Sequence, residues 1–222
     1  MRPLHVVFRL ATPMRAPEAP IHLDALLAWS AVHATGIMDL EQQERLPLEK
    51  YHASNSAWVW KASQLVFEAG HRQALPMTRR LDIGECAQDQ GIRFDAPRLN
   101  VLTPGTGPYK SYSFLAPLVA VAEAHAWCVG DQDAIRDLLA RVTHVGKLAR
   151  IDCGRVASID VLPDDDPTAE RWTLRTMPDS RPGFHASVAT LTPPYWRRES
   201  RVDAWEPGGL LLGEIARRAI SA

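Results

Sequence analysis

Cysteine is scarce in this sequence, and the three cysteines, Cys86, Cys128 and Cys153, are too far apart to form any CxxC pair. An odd and sparse set argues against a disulfide framework and against a cysteine zinc site. An excess of one charge is missing too, since 25 lysines and arginines accompany 26 aspartates and glutamates, for a formal net charge of −1. Nucleic-acid binding would therefore depend on a local basic cluster, because the molecule as a whole is not a polycation.

Long apolar runs are also missing. The apolar run at the N-terminus is short and is interrupted by Arg9, so we expect no signal peptide. The most apolar stretch, residues 114–129, contains Pro117, Glu123 and His125, and does not fit a membrane span. These absences predict a soluble cytoplasmic protein that does not interact with membranes.

Hydrophobic periodicity predicts six elements in the order strand, helix, strand, strand, helix, strand. Alternating apolar residues predict a strand, whereas apolar residues three and four apart predict a helix. The six elements are a strand at Leu4–Ala11, a helix at Ile21–Thr35, strands at Trp58–Phe67 and Val119–Val129, a helix that is capped by Asp131 and ends near Gly146, and a strand at Arg155–Leu162. This order is that of the ferredoxin-like βαββαβ unit, which also underlies the RNA-recognition motif, so the predicted fold class is α+β.

The predicted domain organisation follows from this order. Residues 1–162 form the ferredoxin-like domain, and residues 37–115 are an insertion in it. The insertion contains the sequence GTGPYKSY at 105–112, which has the composition of a flexible tip. Residues 163–222 form a β-rich C-terminal extension packed on the domain, with short strands predicted at Trp172–Met177 and Ser187–Leu191.

The stretch His144–Ile159, HVGKLARIDCGRVASI, is a basic loop punctuated by glycines that continues into a strand. Its glycines and adjacent basic residues are Gly146, Lys147, Arg150, Gly154 and Arg155. Glycine allows a backbone to approach a phosphate closely, and successive amide groups form a concavity that binds anions. Because a glycine that ends a helix before an ordinary turn gives the same pattern, the spacing alone leaves both interpretations open.

Three segments resemble the RAMP superfamily of CRISPR proteins. They are the strand–helix start HVVFRLATPM…PIHLDALLAWSAV, the later loop VGKLARIDCGRV, and PPYWRRESRV at Pro193–Val202. Within the superfamily, the pattern is most similar to the Cas-five-group subunit of type IV effector complexes. The loop departs from that pattern at Asp152 and Cys153, where small or basic residues are more usual.

The resemblance implies a non-catalytic structural subunit of a type IV CRISPR effector complex. Such a subunit caps one end of a crRNA-bound filament and holds the crRNA 5′ handle. It contacts the backbone subunit and the large subunit, near the place where target DNA is checked. Contact with the target DNA duplex next to the protospacer stays open, and the resemblance implies no cofactor.

The resemblance also implies roles for individual residues. The loop residues Gly146, Lys147, Arg150, Gly154 and Arg155 would lie against the handle. The segment 105–112 would act as a thumb over the RNA, with Lys110 on a phosphate and Tyr109 or Tyr112 stacked on a base. Arg79 and Arg80 fit either a basic loop that touches nucleic acid or a solvated turn.

Trp196, next to Arg197 and Arg198, is the tryptophan whose surroundings resemble a loop. It fits three roles, which the sequence does not separate. The indole would stack on a base, anchor a protein partner, or fix the C-terminal extension to the core.

Two histidines support an alternative function, because some RAMP relatives cleave RNA with a general acid–base histidine. His22 precedes the first predicted helix, and His144 precedes the glycine loop, so either would be near bound RNA. The alternative is therefore a metal-independent crRNA-processing endoribonuclease. The sequence has no HD dipeptide, no HxH motif and no carboxylate cluster that would suggest a metal nuclease, so we expect no metal site.

Overall fold

A computed structural model describes residues 1–35, 45–79 and 111–209. In chain order its helices and strands are β1 Arg2–Leu10, β2 Met14–Arg15, α1 Leu23–Thr35, β3 Lys50–His52, β4 Trp58–Trp60, β5 Val66–Phe67, β6 Arg72–Arg79, β7 Tyr112–Val119, β8 Glu123–Gly130, α2 Gln132–Leu139, β9 Val156–Pro163, β10 Phe184–Thr190 and β11 Arg201–Pro207. Short 3₁₀ helices lie at Ala149–Ile151, Pro167–Ala169, Arg171–Thr173 and Arg198–Ser200. The predicted α+β class is confirmed, with several antiparallel sheets and few helices.

The chain divides into two compact units, one formed by Met1–His71 with Val119–Ala222 and the other by Arg72–Leu118. In the smaller unit β6 and β7 are neighbours in one sheet, and the rings of Tyr112 and Phe114 on β7 are 5.6 Å apart. The predicted domain boundaries are not tested by this division and stay a prediction. Within the described ranges, neither α1 nor α2 is long and apolar enough to cross a membrane.

The main sheet of the larger unit has the strand order β5–β8–β1–β9, with antiparallel neighbours throughout. One face of this sheet is apolar. Val6 of β1 pairs with Ala126 of β8 and Val161 of β9, and all three side chains are buried. Leu27 of α1 and Ile135 of α2, both fully buried, complete the same cluster. Burying each large aliphatic side chain stabilises the fold by about 2 kcal/mol, so the two helices are held on this face.

The sequence correctly locates the first strand, both helices and the last strand of the predicted order. The cap of α2 is confirmed, since the carboxylate of Asp131 accepts hydrogen bonds from the amides of Asp133 and Ala134 at 3.1 Å. The predicted end of this helix near Gly146 is wrong, because α2 ends at Leu139. Residues 140–142 still donate to carbonyls of the helix as turns, and from Thr143 onward the chain pairs instead with residues 154–156.

The predicted strand at Trp58–Phe67 is wrong as one continuous element. Its first part, β4, pairs with β3, whereas its last part, β5, pairs with β8. Between them the amide of Gln64 donates to the carbonyl of Leu174 at 2.9 Å, and that of Leu65 donates to the carbonyl of Ile21 at 2.7 Å. The strand is therefore interrupted, because its backbone finds partners in four different parts of the chain: β3, Leu174, Ile21 and β8.

Two further strand predictions need correction. The predicted strand Val119–Val129 corresponds to β8 but starts too early, since β7 ends at Val119 and β8 begins at Glu123. Between them the backbone of Ala120 bonds to Gly70 and His71. At the predicted strand Trp172–Met177 the chain instead forms a 3₁₀ turn followed by a single bridge to β11. The strand predicted at Ser187–Leu191 corresponds to β10.

A buried arginine connects these irregular segments. Arg175 is fully buried, and its guanidinium donates to the carboxylate of Asp24 in α1 at 3.1 Å and to the hydroxyl of Tyr195 at 2.6 Å. It also donates to four backbone carbonyls, those of Trp60, Ala62, Thr176 and Leu191. The Tyr195 hydroxyl in turn donates to Asp24 at 2.8 Å. A buried charge needs this many partners, because otherwise its loss of hydration would exceed the energy of the ion pair.

Replacing Asp24 with asparagine (Asp24→Asn) leaves Arg175 as a buried charge without its counter-ion. We expect the free energy of unfolding to fall by about 3–5 kcal/mol, the usual cost of breaking a buried ion pair. Urea denaturation measures the change. The matched control is Asp133→Asn, which removes an exposed ion pair with Arg136 and should leave the stability nearly unchanged. Equal stabilities of the two variants would contradict this role of Arg175.

Candidate nucleic-acid interface

The segment His144–Arg155, called the glycine loop from here on, is closed at its base by backbone pairing. The amide of Val145 donates to the carbonyl of Gly154 at 2.8 Å, and the amide of Val156 donates to that of Thr143 at the same distance. The loop thus leaves from the end of α2 and returns directly into β9. Its position is fixed by the sheet and by a helix of the core.

Several residues of the glycine loop have left-handed backbone conformations. They are Gly146 with φ +87°, Leu148 with φ +70°, Asp152 with φ +63° and Gly154 with φ +69°. At Gly154 no side chain fits, since a Cβ would lie 2.1 Å from the carbonyl oxygen of Val145. Non-glycine residues adopt this conformation at a cost of about 1–3 kcal/mol each, and such strain is concentrated at functional sites.

The amide groups at the tip of the loop are available for an external ligand. In the described part of the chain, the backbone N–H groups of residues 146–150 have no intramolecular acceptor. The amides of Ile151, Asp152 and Cys153, by contrast, donate to carbonyls within the loop. A run of free amides in alternating backbone conformations is the arrangement that proteins use to bind phosphate oxygens.

The segment after β1, residues 11–18, supports the glycine loop. The amide of Gly154 donates to the carbonyl of Pro13 at 2.9 Å. The hydroxyl of Thr12 donates to the carbonyl of Asp152 and accepts from the amide of Arg155. These bonds fix the half of the loop that does not carry the free amides.

Four cationic side chains and two carboxylates surround the loop. Lys147 binds Glu18 at 3.0 Å, and Arg15 binds the same carboxylate at 2.5 Å. The hydrogen bond and charge of Lys147 hold the pKa of Glu18 below its usual range. Arg150 is exposed and has no acidic partner among the described residues. Since the Lys147–Glu18 pair is also exposed, a phosphate can replace the carboxylate at little cost.

Asp152 holds the remaining basic residues of the loop. Its carboxylate lies 3.3 Å from Nε2 of His144 and 3.6 Å from Nε of Arg155. Asp152 thus neutralises part of the charge at the base of the loop. The excess positive charge is at the tip, beside the free amides.

A family model for CRISPR type IV associated protein Csf3 matches residues 2–207. The chain belongs to this family. The family assignment made from the sequence is therefore confirmed, and the chain is a type IV CRISPR-associated subunit of the Cas-five-like kind. No curated protein matches the chain at a significant level.

The other predicted RNA-binding residues of this Csf3-family protein lie in the smaller unit or outside the described residues. The backbone of Arg79 ends β6, whereas Arg80, Tyr109 and Lys110 lie outside the described residues. Tyr112 begins β7 in the smaller unit and is partly exposed. The thumb at 105–112 therefore stays a prediction.

The two histidines of the nuclease alternative have different surroundings. His22 is buried and its ring stacks on that of Tyr195, with centroids 4.6 Å apart. Burial, together with the charge of Arg175, lowers the pKa of His22 well below its usual value, so its ring is neutral. His144 is at the base of the glycine loop and binds Asp152. Of the two, only His144 is placed where it can meet a ligand of the loop.

The aromatic residue Trp127, on the sheet face opposite the helices, is covered. RNA-recognition motifs bind bases on exposed aromatic residues of that face. Here Trp127 is 1% exposed, between the ring of His5 at 5.0 Å and the guanidinium of Arg171 at 5.1 Å. Burial and the neighbouring His125 lower the pKa of His5 to about 4, so this stack is uncharged on its histidine side at neutral pH. This face therefore offers no exposed aromatic platform at Trp127.

Sequence reasoning missed the contribution of residues 11–18 to the site. Thr12 and Glu18 contact the glycine loop, although they are more than a hundred residues away in sequence, and Arg15 binds the same Glu18 carboxylate. The signal was present in the predicted element order, since β1 and the strand after the loop are both in the sheet. The two strands are antiparallel neighbours, so the end of β1 and the start of β9 lie side by side at the same end of the sheet.

Adding one methyl group at Gly154 (Gly154→Ala) should distort the loop, because the new Cβ would overlap the Val145 carbonyl and φ is positive. We expect a loss of about 2 kcal/mol or more in the free energy of unfolding, together with weaker RNA binding. Chemical denaturation and an RNA-binding titration measure the two effects. Gly209→Ala is the control, since a Cβ there meets nothing within 4 Å. A Gly154→Ala protein as stable as the control would show that the close approach is not real.

Proposed function

We propose that this protein is the crRNA-binding structural subunit of a type IV CRISPR effector complex, which caps the crRNA filament and holds the 5′ handle. The observation that carries the proposal is the tip of the glycine loop, where five successive free amides lie beside Lys147 and Arg150. Free amides recognise phosphate oxygens without reading a base, and the lysine and arginine add the charge. This combination suits the backbone of an RNA strand.

The charge distribution of the chain supports this location for the RNA. The net charge of the chain is −1, so the protein as a whole does not attract a polyanion. The exposed Arg150, and Lys147 once it leaves Glu18, concentrate positive charge at one place. Binding through such contacts releases counterions and therefore weakens steeply as salt rises.

The proposal includes a ferredoxin-like βαββαβ unit as the scaffold of the site. It consists of β1, α1, β5, β8, α2 and β9. Two observations support it: the sheet order β5–β8–β1–β9, which is second, third, first, fourth along the unit, and the packing of both helices on one face. In this unit the glycine loop joins the second helix to the last strand.

We further propose that the protein is not a nuclease. RNA cleavage of the metal-independent kind needs a general base and a general acid beside the scissile phosphate. His22 is buried under Tyr195, and His144 is bound by Asp152. Among the described residues, no group of three or more histidines, cysteines and carboxylates is arranged to hold a metal ion. The glycine loop thus has the groups that hold a phosphate and lacks a second histidine to cleave it.

As a cap of the filament, the protein would contact the neighbouring backbone subunit and the large subunit of the complex. Membership in a CRISPR type IV associated family supports these partners. The target DNA duplex beside the protospacer is a further candidate partner, close to the large subunit. The predicted thumb at 105–112 would lie over the same RNA.

Reversing the two charges at the loop tip (Lys147→Glu with Arg150→Glu) should weaken binding to repeat-derived RNA by about 100-fold, because two charge-assisted phosphate contacts are lost. The slope of log affinity against log salt should become shallower by about 1.4, or about 0.7 for each contact with a single strand. Fluorescence anisotropy with labelled repeat RNA in EDTA measures both. The RNA should be recovered at its original length.

The matched control reverses two exposed cations at the opposite end of β1 and the adjoining hairpin (Arg2→Glu with Lys50→Glu). It keeps the same net charge as the loop variant and should bind RNA nearly as well as the natural protein. If both variants lose affinity equally, the charge of the whole molecule and not the glycine loop determines binding. A specific cut in the RNA that disappears in His144→Ala would favour the nuclease alternative.

A further inference from the structure

Two adjacent residues after β10, Tyr195 and Trp196, have opposite surroundings. The hydroxyl of Tyr195 is buried against Asp24 and Arg175. Trp196 is 72% exposed, the largest exposed fraction among the large apolar side chains of the described residues. A tryptophan side chain buries about 150–250 Å² when it is covered. Covering this exposed indole with a ligand would therefore stabilise the complex substantially.

The backbone that carries Trp196 is fixed. The hydroxyl of Thr190 donates to the carbonyl of Arg197 at 3.1 Å, and the amide of Arg197 donates to the carbonyl of Pro194 at 3.2 Å. The amide of Ser200 closes the next turn onto Arg197. With Tyr195 anchored in the core, the indole is presented by a segment that is ordered before a ligand arrives. Such preorganisation reduces the entropy lost on binding.

Three arginines, Arg197, Arg198 and Arg201, follow the exposed indole in sequence. The guanidinium of Arg197 lies 5.7 Å from the ring of Trp196. Arg198 and Arg201 are exposed, and neither has an ion pair within the described ranges. A flat aromatic ring among arginines fits an unpaired nucleotide, since the ring stacks on the base and the arginines contact the phosphates. Charge complementarity therefore favours a nucleic acid strand as the occupant.

A series of contacts connects the glycine loop to Tyr195, the residue before this indole. A Cβ built at Gly146 would lie 3.9 Å from Cδ1 of Ile21. The next residue, His22, stacks on Tyr195. Ile21, His22 and Tyr195 therefore form a series of neighbouring residues that leads from Gly146 to Trp196. A strand held at the glycine loop passes near Trp196 if it continues along this connection.

We propose that Trp196 is a stacking platform for an unpaired base of the RNA strand that the glycine loop holds, with Arg198 and Arg201 on the flanking phosphates. This inference rests on the proposed function, because it places the platform on the same RNA. It adds a base contact to a site that otherwise grips only phosphates. The base is held by its flat face, so any of the four bases is accepted.

The test combines Trp196→Ala with single abasic nucleotides placed in turn along a labelled repeat RNA, and anisotropy measures each affinity. Trp196→Ala should weaken binding to intact RNA by roughly tenfold. One abasic position should cost the natural protein about the same factor and cost Trp196→Ala nothing more. Trp196→Tyr, which keeps an aromatic ring, should retain most of the affinity.

Trp29→Ala is the matched control, because Trp29 is 46% exposed on α1 and, among the described residues, its ring contacts that of His33. It should change the affinity by less than about twofold, as expected for an indole without a base. Thermal melts check that both variants fold. In the variant Lys147→Glu with Arg150→Glu, all RNAs should bind more weakly. The abasic position that lowers the affinity should be the same as for the natural protein.

Three outcomes would overturn the inference. If the natural protein binds RNA and Trp196→Ala binds it equally well, the platform is wrong while the proposed function stands. If Trp196→Ala keeps its RNA affinity but no longer co-purifies with the other subunits, the indole is a protein contact. If the natural protein binds no repeat RNA, the proposed function and the inference fail together.

Discussion

The guanidinium of Arg175, fully buried and bonded to Asp24, Tyr195 and four backbone carbonyls, imposes the constraint on which the larger unit depends. Those partners come from α1, from the chain around β4 and from the C-terminal region. Removing one partner from a buried charge costs several kcal/mol of stability, about 3–5 for an ion pair. The three segments therefore have to fold together. This requirement explains why the chain does not continue as one strand from β4 to β5. It also explains why the position of Tyr195 is fixed.

The candidate site lies where β1 ends and β9 begins. There the backbone amides of the glycine loop are the groups that would bind a phosphate. The charged side chains of the loop set the local electrostatic potential. Leu148 and Asp152 accept left-handed conformations that they would ordinarily avoid, and the amides of 146–150 stay free of internal partners. Strain and unpaired polar groups both cost stability, and a phosphate site accounts for their coincidence in a loop with basic residues.

The sequence predicts an element well where the backbone hydrogen bonds of that element follow its local pattern, and poorly where they go to distant partners. β1, α1 and β9 were visible because one periodic face of each packs on one core. The interruption after β4 could not be predicted, because the apolar alternation of Trp58 and Trp60 continues past it. The amides of Gln64 and Leu65 donate instead to carbonyls that are distant in sequence. In the site, glycines and basic residues marked the loop itself. The roles of Arg15 and Glu18 depend on a tertiary contact that no local pattern encodes.

The most direct test of the account is to locate the RNA on the protein. Photocrosslinking of the protein to its crRNA, followed by mass spectrometry of the crosslinked peptides, reports which residues touch the strand. We expect crosslinks within His144–Arg155 and in the adjoining residues 11–18. Crosslinks confined to other parts of the chain, with the glycine loop unmodified, would contradict the assignment of that loop as the grip on RNA.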